Sequence, residues 1–149
     1  MKAATHQLAT FRLGEHLFGV DIERVQEVLR HQRITPVPRA DPAVAGLINL
    51  RGQVVTAIDM RRRMALPPRA KDMEGVEGME PMNLVVLADG EVLSLLVDSI
   101  GDVIDVDVND FEPLPDTLSG VGRELLLGAY KLAGGLLLAL DVDRVVDIS

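Results

Sequence analysis

Gly46-Leu-Ile-Asn-Leu-Arg-Gly-Gln-Val-Val-Thr-Ala-Ile-Asp59 aligns without a gap on Gly128-Ala-Tyr-Lys-Leu-Ala-Gly-Gly-Leu-Leu-Leu-Ala-Leu-Asp141. Working outward from this pair, Val25-Gln-Glu-Val-Leu29 finds its match in Ile100-Gly-Asp-Val-Ile104, and Pro36-Val-Pro38 in Pro113-Leu-Pro115. Each half also opens on two apolar runs around a polar turn. The first is Leu8 to Leu13, Gly14-Glu15-His16 and Leu17 to Val20; the second is Leu84 to Leu87, Ala88-Asp89-Gly90 and Glu91 to Val97. The parts come in the same order twice, which reads as an internal duplication.

The parts read as β. Apolar runs of strand length, rich in Val, Leu and Ile and bounded by Gly, Asp and Pro, are strand signals, and Asp89-Gly90 is a strong hairpin turn. Short runs at regular turn spacing favour a barrel or sandwich over an α/β fold, and closure into a barrel removes exposed strand edges. The expected division is a first barrel over residues 1–66, an acidic linker over 67–81 and a second barrel over 82–149, with terminal segments open to exchange between barrels. Four aspartates close strands, at Val20-Asp21, Ile58-Asp59, Val97-Asp98 and Leu140-Asp141. Each is expected to cap a following turn through its carboxylate rather than to serve in catalysis.

Composition narrows the function. A chain of 149 residues with 48% hydrophobic residues can bury a sizeable core without staples. It has no Cys, hence no disulfide, thiolate metal site or thiol nucleophile, as suits a reducing cytosol. No signal peptide pattern and no membrane-length apolar run is present; Leu136 to Leu140 is only strand-sized. A net charge of −8 repels phosphate backbones, so nucleic acid is not an expected partner.

Catalytic constellations are missing. His6, His16 and His31 have no metal-ligand spacing and no paired third group. Asp105-Val-Asp107-Val-Asn109 copies the start of a calcium loop, but Asp110 stands where glycine is required, so the stretch reads as a strand with an acidic face. Gly120-Val-Gly122 lacks the rest of a phosphate loop. Arg61-Arg62-Arg63 has no neighbouring aromatics for base stacking and reads as a solvated helical face. No catalytic residue, metal or cofactor is expected.

Comparing the halves singles out one side chain. Gly52 has Gly134 as its equivalent, as a tight turn requires, whereas Arg51 is matched by Ala133. The fold does not demand a guanidinium there, which leaves Arg51 for a bidentate contact with a partner carboxylate.

Phe11-Arg-Leu-Gly-Glu15, Phe18-Gly-Val-Asp21, Val25-Gln-Glu-Val28, Ile34-Thr-Pro-Val-Pro38 and above all Gly46-Leu-Ile-Asn-Leu-Arg-Gly52 resemble the CheW family of bacterial chemotaxis coupling proteins. The second half, Asn83 to Asp102 and Leu125 to Val146, fits too, so the resemblance runs the length of the chain. It implies a mainly β fold with short helices: two five-stranded SH3-like β-barrels related by a pseudo-twofold. It also implies a non-catalytic, cytoplasmic adaptor, recruited to membrane-associated receptor arrays without inserting into the membrane. Its partners would be the cytoplasmic tip of a chemoreceptor (a methyl-accepting chemotaxis protein) and the regulatory domain of a CheA-type histidine kinase. By position, Val25, Glu27 and Arg51 fall where the family engages the receptor, and Ile100 and Val103 complete the groove. The kinase would dock on exposed barrel ends, with no residue assigned. Thr56 departs from the Pro of many relatives, and the acidic stretch 72–80 has no family role. The chain ends at Ser149, so no receiver domain is expected behind the barrels. A groove between two barrels suits a helix with an apolar stripe. Alternatives are the same scaffold in a non-flagellar system (surface motility or pilus control) and, further off, a small metal-binding barrel using Asp102 to Asp110.

Overall fold

The structure, a computed structural model, describes residues 5–30, 32–68, 80–118 and 122–148. His31, Gly120 and the acidic residues Asp72, Glu74 and Glu77 lie outside the described residues. Among the described residues there are eleven strands: β1 (Thr5–Leu13), β2 (His16–Asp21), β3 (Val25–Leu29), β4 (Val44–Leu50), β5 (Gln53–Asp59), β6 (Met82–Ala88), β7 (Glu91–Val97), β8 (Ser99–Asp107), β9 (Phe111–Glu112), β10 (Leu126–Leu132) and β11 (Gly135–Leu140). One-turn helices α1 (Met60–Arg63) and α2 (Val142–Val145) follow β5 and β11.

The strands form a six-stranded sheet, β8-β1-β2-β11-β10-β9, and a five-stranded sheet, β3-β6-β7-β5-β4. The sixth strand of the larger sheet, β9, is two residues long. Its counterpart in the smaller sheet is a single bridge, Thr35 to Leu47. With that bridge counted, the two sheets have the same order and are copies of one plan. Both carry a register shift at the same place, between Val44 and Gly46 in β4 and between Leu126 and Gly128 in β10. The edge strands repeat as well: Val25 faces Val86 and Val28 faces Leu84, as Ile100 faces Phe11 and Val103 faces Ala9.

The sheets cut across the sequence halves. The hairpin β1–β2 joins strands β8 to β11 of the second half, while β6–β7 joins β3 to β5 of the first. Chain connection dictates this. To pair beside β1, β3 would have to run parallel to β2, and a parallel return within one sheet needs a crossover of about a dozen residues. Only Ile22–Arg24 separate β2 from β3, and only Asp98 separates β7 from β8. Each short link therefore carries the chain into the other sheet.

Burial follows from that exchange. Along β11, Leu136, Leu138 and Leu140 enter the core shared by the sheets, while Leu137 and Ala139 fill the interior of the six-stranded sheet with Leu8, Val106 and Tyr130. Both faces are covered, so the strand reads as a continuous apolar run. In the five-stranded sheet Ile48, Val55 and Ala57 play the interior part. Phe11 and Phe18 stack at 5.4 Å in the shared core. The buried polar residues Asn83 and Ser94 satisfy each other, Ser94 Oγ donating to Asn83 Oδ1 at 2.8 Å while Asn83 Nδ2 reaches Arg30 O.

Three of the four strand-closing aspartates cap turns: Asp21 accepts from Glu23 N, Asp59 from Arg61 N and Arg62 N, and Asp141 from Arg144 N. Asp98 does not, because β8 begins at the very next residue and leaves no turn to cap. Its carboxylate instead accepts from Gly14 N and from the Arg61 guanidinium. The arginine run is likewise not a uniformly solvated face. Arg61 is tied to Asp98, and Arg63 donates to Val145 O, Arg144 O and Asp147 O, closing the end of α2. Only Arg62 is exposed.

Burial raises the Tyr130 phenol above its ordinary value of about 10. The folded chain then keeps a proton that the unfolded chain loses, so this contribution to stability is complete below about pH 10 and declines above it. Urea unfolding at about pH 11 is expected to show a lower midpoint than at pH 8. Tyr130→Phe should shrink that difference; an unchanged difference would assign it to other groups.

Candidate functional site

Asn49-Leu-Arg-Gly52 closes the β4–β5 hairpin. Arg51 and Gly52 both take positive φ, +52° and +88°, the mirror-image turn that matches strand twist. Asn49 Oδ1 accepts the Gly52 N–H at 2.9 Å and holds the turn shut. For arginine the left-handed conformation is strained, by roughly 1 kcal/mol. The equivalent hairpin of β10–β11 places no such demand: Ala133 and Gly134 lack positive φ, and the left-handed residue is Gly135, at +137°. The expected need for glycine at 134 is thus met one residue later. Asn49 has Lys131 as its counterpart, which cannot accept an amide and pairs with Glu112 instead.

The strained turn aims Arg51 at β3. Its guanidinium grips Glu27 with two bonds, Nη1 to Oε2 at 2.9 Å and Nη2 to Oε1. Side-chain exposure is 71% for Arg51 and 24% for Glu27, so the carboxylate orients and the arginine presents itself. The pair bridges the two edges of the five-stranded sheet, β3 and β4.

Val25 lies two residues before Glu27, half-buried against the shared core, and Ile100 is packed there in the same way from β8. Val103 is 52% exposed. The structure thus brings Arg51 and Glu27 into direct contact and sets Val25 and Ile100 at equivalent places on the two edge strands, with β8 also touching β6 of the other sheet. Val28 belongs to the same surface and escaped the sequence reading. It is 46% exposed and is the repeat partner of Val103; aligning Val25–Leu29 on Ile100–Ile104 was the signal that could have found it. Among the described residues, no three His, Asp or Glu converge as a metal site. Asp107 of the acidic stretch accepts from Asn109 N, capping a 3-10 turn. No described helix is long and apolar enough to cross a membrane.

Comparison with known proteins points one way. Residues 7–149 match the model of the CheW-like domain. The chain is 31% identical over 143 residues to the chemotaxis protein CheW of Rhizobium meliloti, covering 93% of this chain and 86% of that protein. It is 30% identical over 139 residues to the chemotaxis protein CheW of Treponema pallidum, covering 93% and 81%. Protein FrzA of Myxococcus xanthus is 30% identical over 130 residues, covering 83% and 73%. Among solved structures, the scaffolding protein TtCheW from Thermoanaerobacter tengcongensis superimposes with a TM-score of 0.84 at 26% identity, covering 98% of this chain and 95% of that one.

Proposed function

Since the chain belongs to the CheW-like domain family, we propose that it is a non-catalytic, cytoplasmic adaptor that couples the cytoplasmic tip of a transmembrane chemoreceptor to a CheA-type histidine kinase. Its receptor-facing site is built from Arg51, Glu27, Val25, Ile100 and Val103. The observation that carries this reading is the Arg51–Glu27 pair: an exposed guanidinium held in a strained turn that the fold omits from its second copy. The left-handed turn itself recurs at Asp89-Gly90, so what supports a selected contact is the guanidinium kept there at one of two equivalent hairpins, at the cost of some backbone strain. The aliphatic residues supply apolar contact for a helix, and the ion pair sets its register more than its affinity.

The test is capture of a receptor cytoplasmic fragment and of the kinase from the same cell, with Arg51→Ala alongside. Arg51→Ala is expected to weaken receptor capture about tenfold or more, as loss of a central arginine contact does, and to leave kinase capture intact. Stability should move by less than about 1 kcal/mol, because exposed ion pairs contribute little. Arg51→Gly, which relieves the turn, should be at least as stable as Arg51→Ala and equally poor in receptor capture. Unfolding of either variant would make Arg51 structural and sink the assignment.

The similarity to Protein FrzA, which is not named for chemotaxis, supports a second reading: the same scaffold serving surface motility or pilus control. Deleting the gene and scoring swimming against surface spreading separates the two.

A further inference from the structure

Building on the adaptor reading above, we propose that the surface carried by the edge strands β3 and β8 fixes the direction in which a helical partner lies. The pseudo-twofold duplicates its apolar contacts but not its charges. Val25 and Ile100 are equivalent, and so are Val28 and Val103. On apolar contact alone, such a surface receives a helix in either direction with equal energy, and only a difference between the two fits can choose.

The charges supply that difference. Glu27 has Asp102 as its counterpart, but Glu27 is neutralised by Arg51, whereas Ala133 stands where a partner for Asp102 would be. Asp102 is exposed, and its carboxylate has no hydrogen-bond or ion-pair partner among the described residues. Three positions further along each strand direction, exposed Arg30 is matched by exposed Asp105. The β3 side thus carries one surplus positive charge, Arg30 and Arg51 against Glu27, and the β8 side the negative charges of Asp102 and Asp105, with Asp107 at the end of the strand adding a third. The fitting occupant is an amphipathic helix with an acidic flank toward Arg30 and Arg51 and a basic flank toward Asp102 and Asp105. Turned around, the same helix would set like charges against each other on both sides, which disfavours that pose more than any single surface pair favours the right one.

The absence of cysteine makes the direction measurable. Val28→Cys and Val103→Cys each install a single exposed thiol, one on each edge strand. A receptor-tip fragment bearing one cysteine, in its acidic or its basic flank, serves as the probe. Val28→Cys is expected to cross-link to the acidic flank and Val103→Cys to the basic flank, with the opposite pairings about tenfold weaker at low salt and less distinct at high salt. Arg30→Asp combined with Asp105→Arg keeps the net charge and should abolish or invert the preference. Equal cross-linking to both flanks, or a pattern indifferent to that swap, overturns the inference while leaving the adaptor reading in place. Failure of the unsubstituted protein to capture the fragment overturns both. Cross-linking between two copies of this chain, undiminished by the fragment, would give this surface to a second copy and also overturn it.

Discussion

Gly46→Ala is expected to destabilise the protein by roughly 4 kcal/mol, a large part of the 5–15 kcal/mol that holds a domain together. Gly46 sits at φ +150°, a conformation that residues with a Cβ rarely adopt, and a methyl group there would lie 2.3 Å from Thr35 O and 2.8 Å from Thr35 C. Those atoms are backbone and cannot rotate away. Thr35 also makes, among the described residues, the one bridge that fastens the loop after β3 to β4, Thr35 N to Leu47 O and Leu47 N to Thr35 O, both 2.8 Å. Backbone strain of about 1–3 kcal/mol thus adds to two hydrogen bonds worth about 1 kcal/mol each.

The duplication provides internal controls. Gly128 occupies the equivalent position but has no positive φ; its added methyl would meet Phe111 Cζ at 2.4 Å and Glu112 O at 2.6 Å. The ring can swing aside but the carbonyl cannot, so Gly128→Ala should cost less than Gly46→Ala without being neutral. Gly52 has open space around it and only its φ of +88° to defend, which places Gly52→Ala at about 1 kcal/mol. Urea midpoints should fall in that order. A Gly46→Ala variant no weaker than Gly52→Ala would mean that the Thr35 bridge yields freely.

How much of this was legible in the sequence differs from element to element. Gly46 to Asp59 and Gly128 to Asp141 matched without a gap because strand, turn, strand and cap each impose their own residue type, and the structure places them at equivalent positions. The exchange of hairpins between sheets was less visible: a repeat says which segments are alike, not which copy of each pairs with which. The deciding quantity was the length of the links, Ile22–Arg24 and Asp98, too short for a parallel return. At the site, the contrast of Arg51 with Ala133 was readable, because the matching turn closes without an arginine. The sequence pointed Arg51 at a partner's carboxylate, whereas the structure ties it to the chain's own Glu27, which the resemblance had named only as a receptor-facing residue; contact across 24 positions leaves no local trace. Asn49 was read only as part of a motif, since an asparagine in a β-rich stretch does not reveal that its side chain accepts an amide three residues on. Asp98 was misread for the opposite reason. Its local context copies the capping aspartates, and only the fold brings Arg61 and Gly14 to it.

Asp98→Ala is the second substitution from which a large effect follows, expected at about 2–3 kcal/mol. Arg61 Nε and Nη2 donate to the two carboxylate oxygens at 2.8 and 2.5 Å, and Gly14 N donates at 2.8 Å. One carboxylate therefore ties α1, the β1–β2 turn and the β7–β8 junction, which belong to both sheets. Asp98 and Arg61 side chains are each only 18% exposed, so removing the acid leaves a half-buried guanidinium with Pro67 O as its remaining partner, the costly way to break such a pair, while the exposed Gly14 amide turns to water. The same environment pushes the Arg61 pKa up, chiefly through its hydrogen bond to Asp98. Near the equivalent place in the other half, the pair recurs with the charges exchanged: Arg24 to Asp143 at 2.8 Å, with side chains 40% and 51% exposed. That pair is open to solvent, and its removal should cost less than about 1 kcal/mol. Exposure, not distance, separates the two. In a double-mutant cycle, Asp98→Ala and Arg61→Ala should couple by about 1–2 kcal/mol and barely respond to salt, while Arg24→Ala and Asp143→Ala should couple weakly and lose even that at high salt. Equal coupling in both cycles would show that the half-buried clasp contributes no more than a surface contact, and that the sheets are joined by their shared apolar core alone.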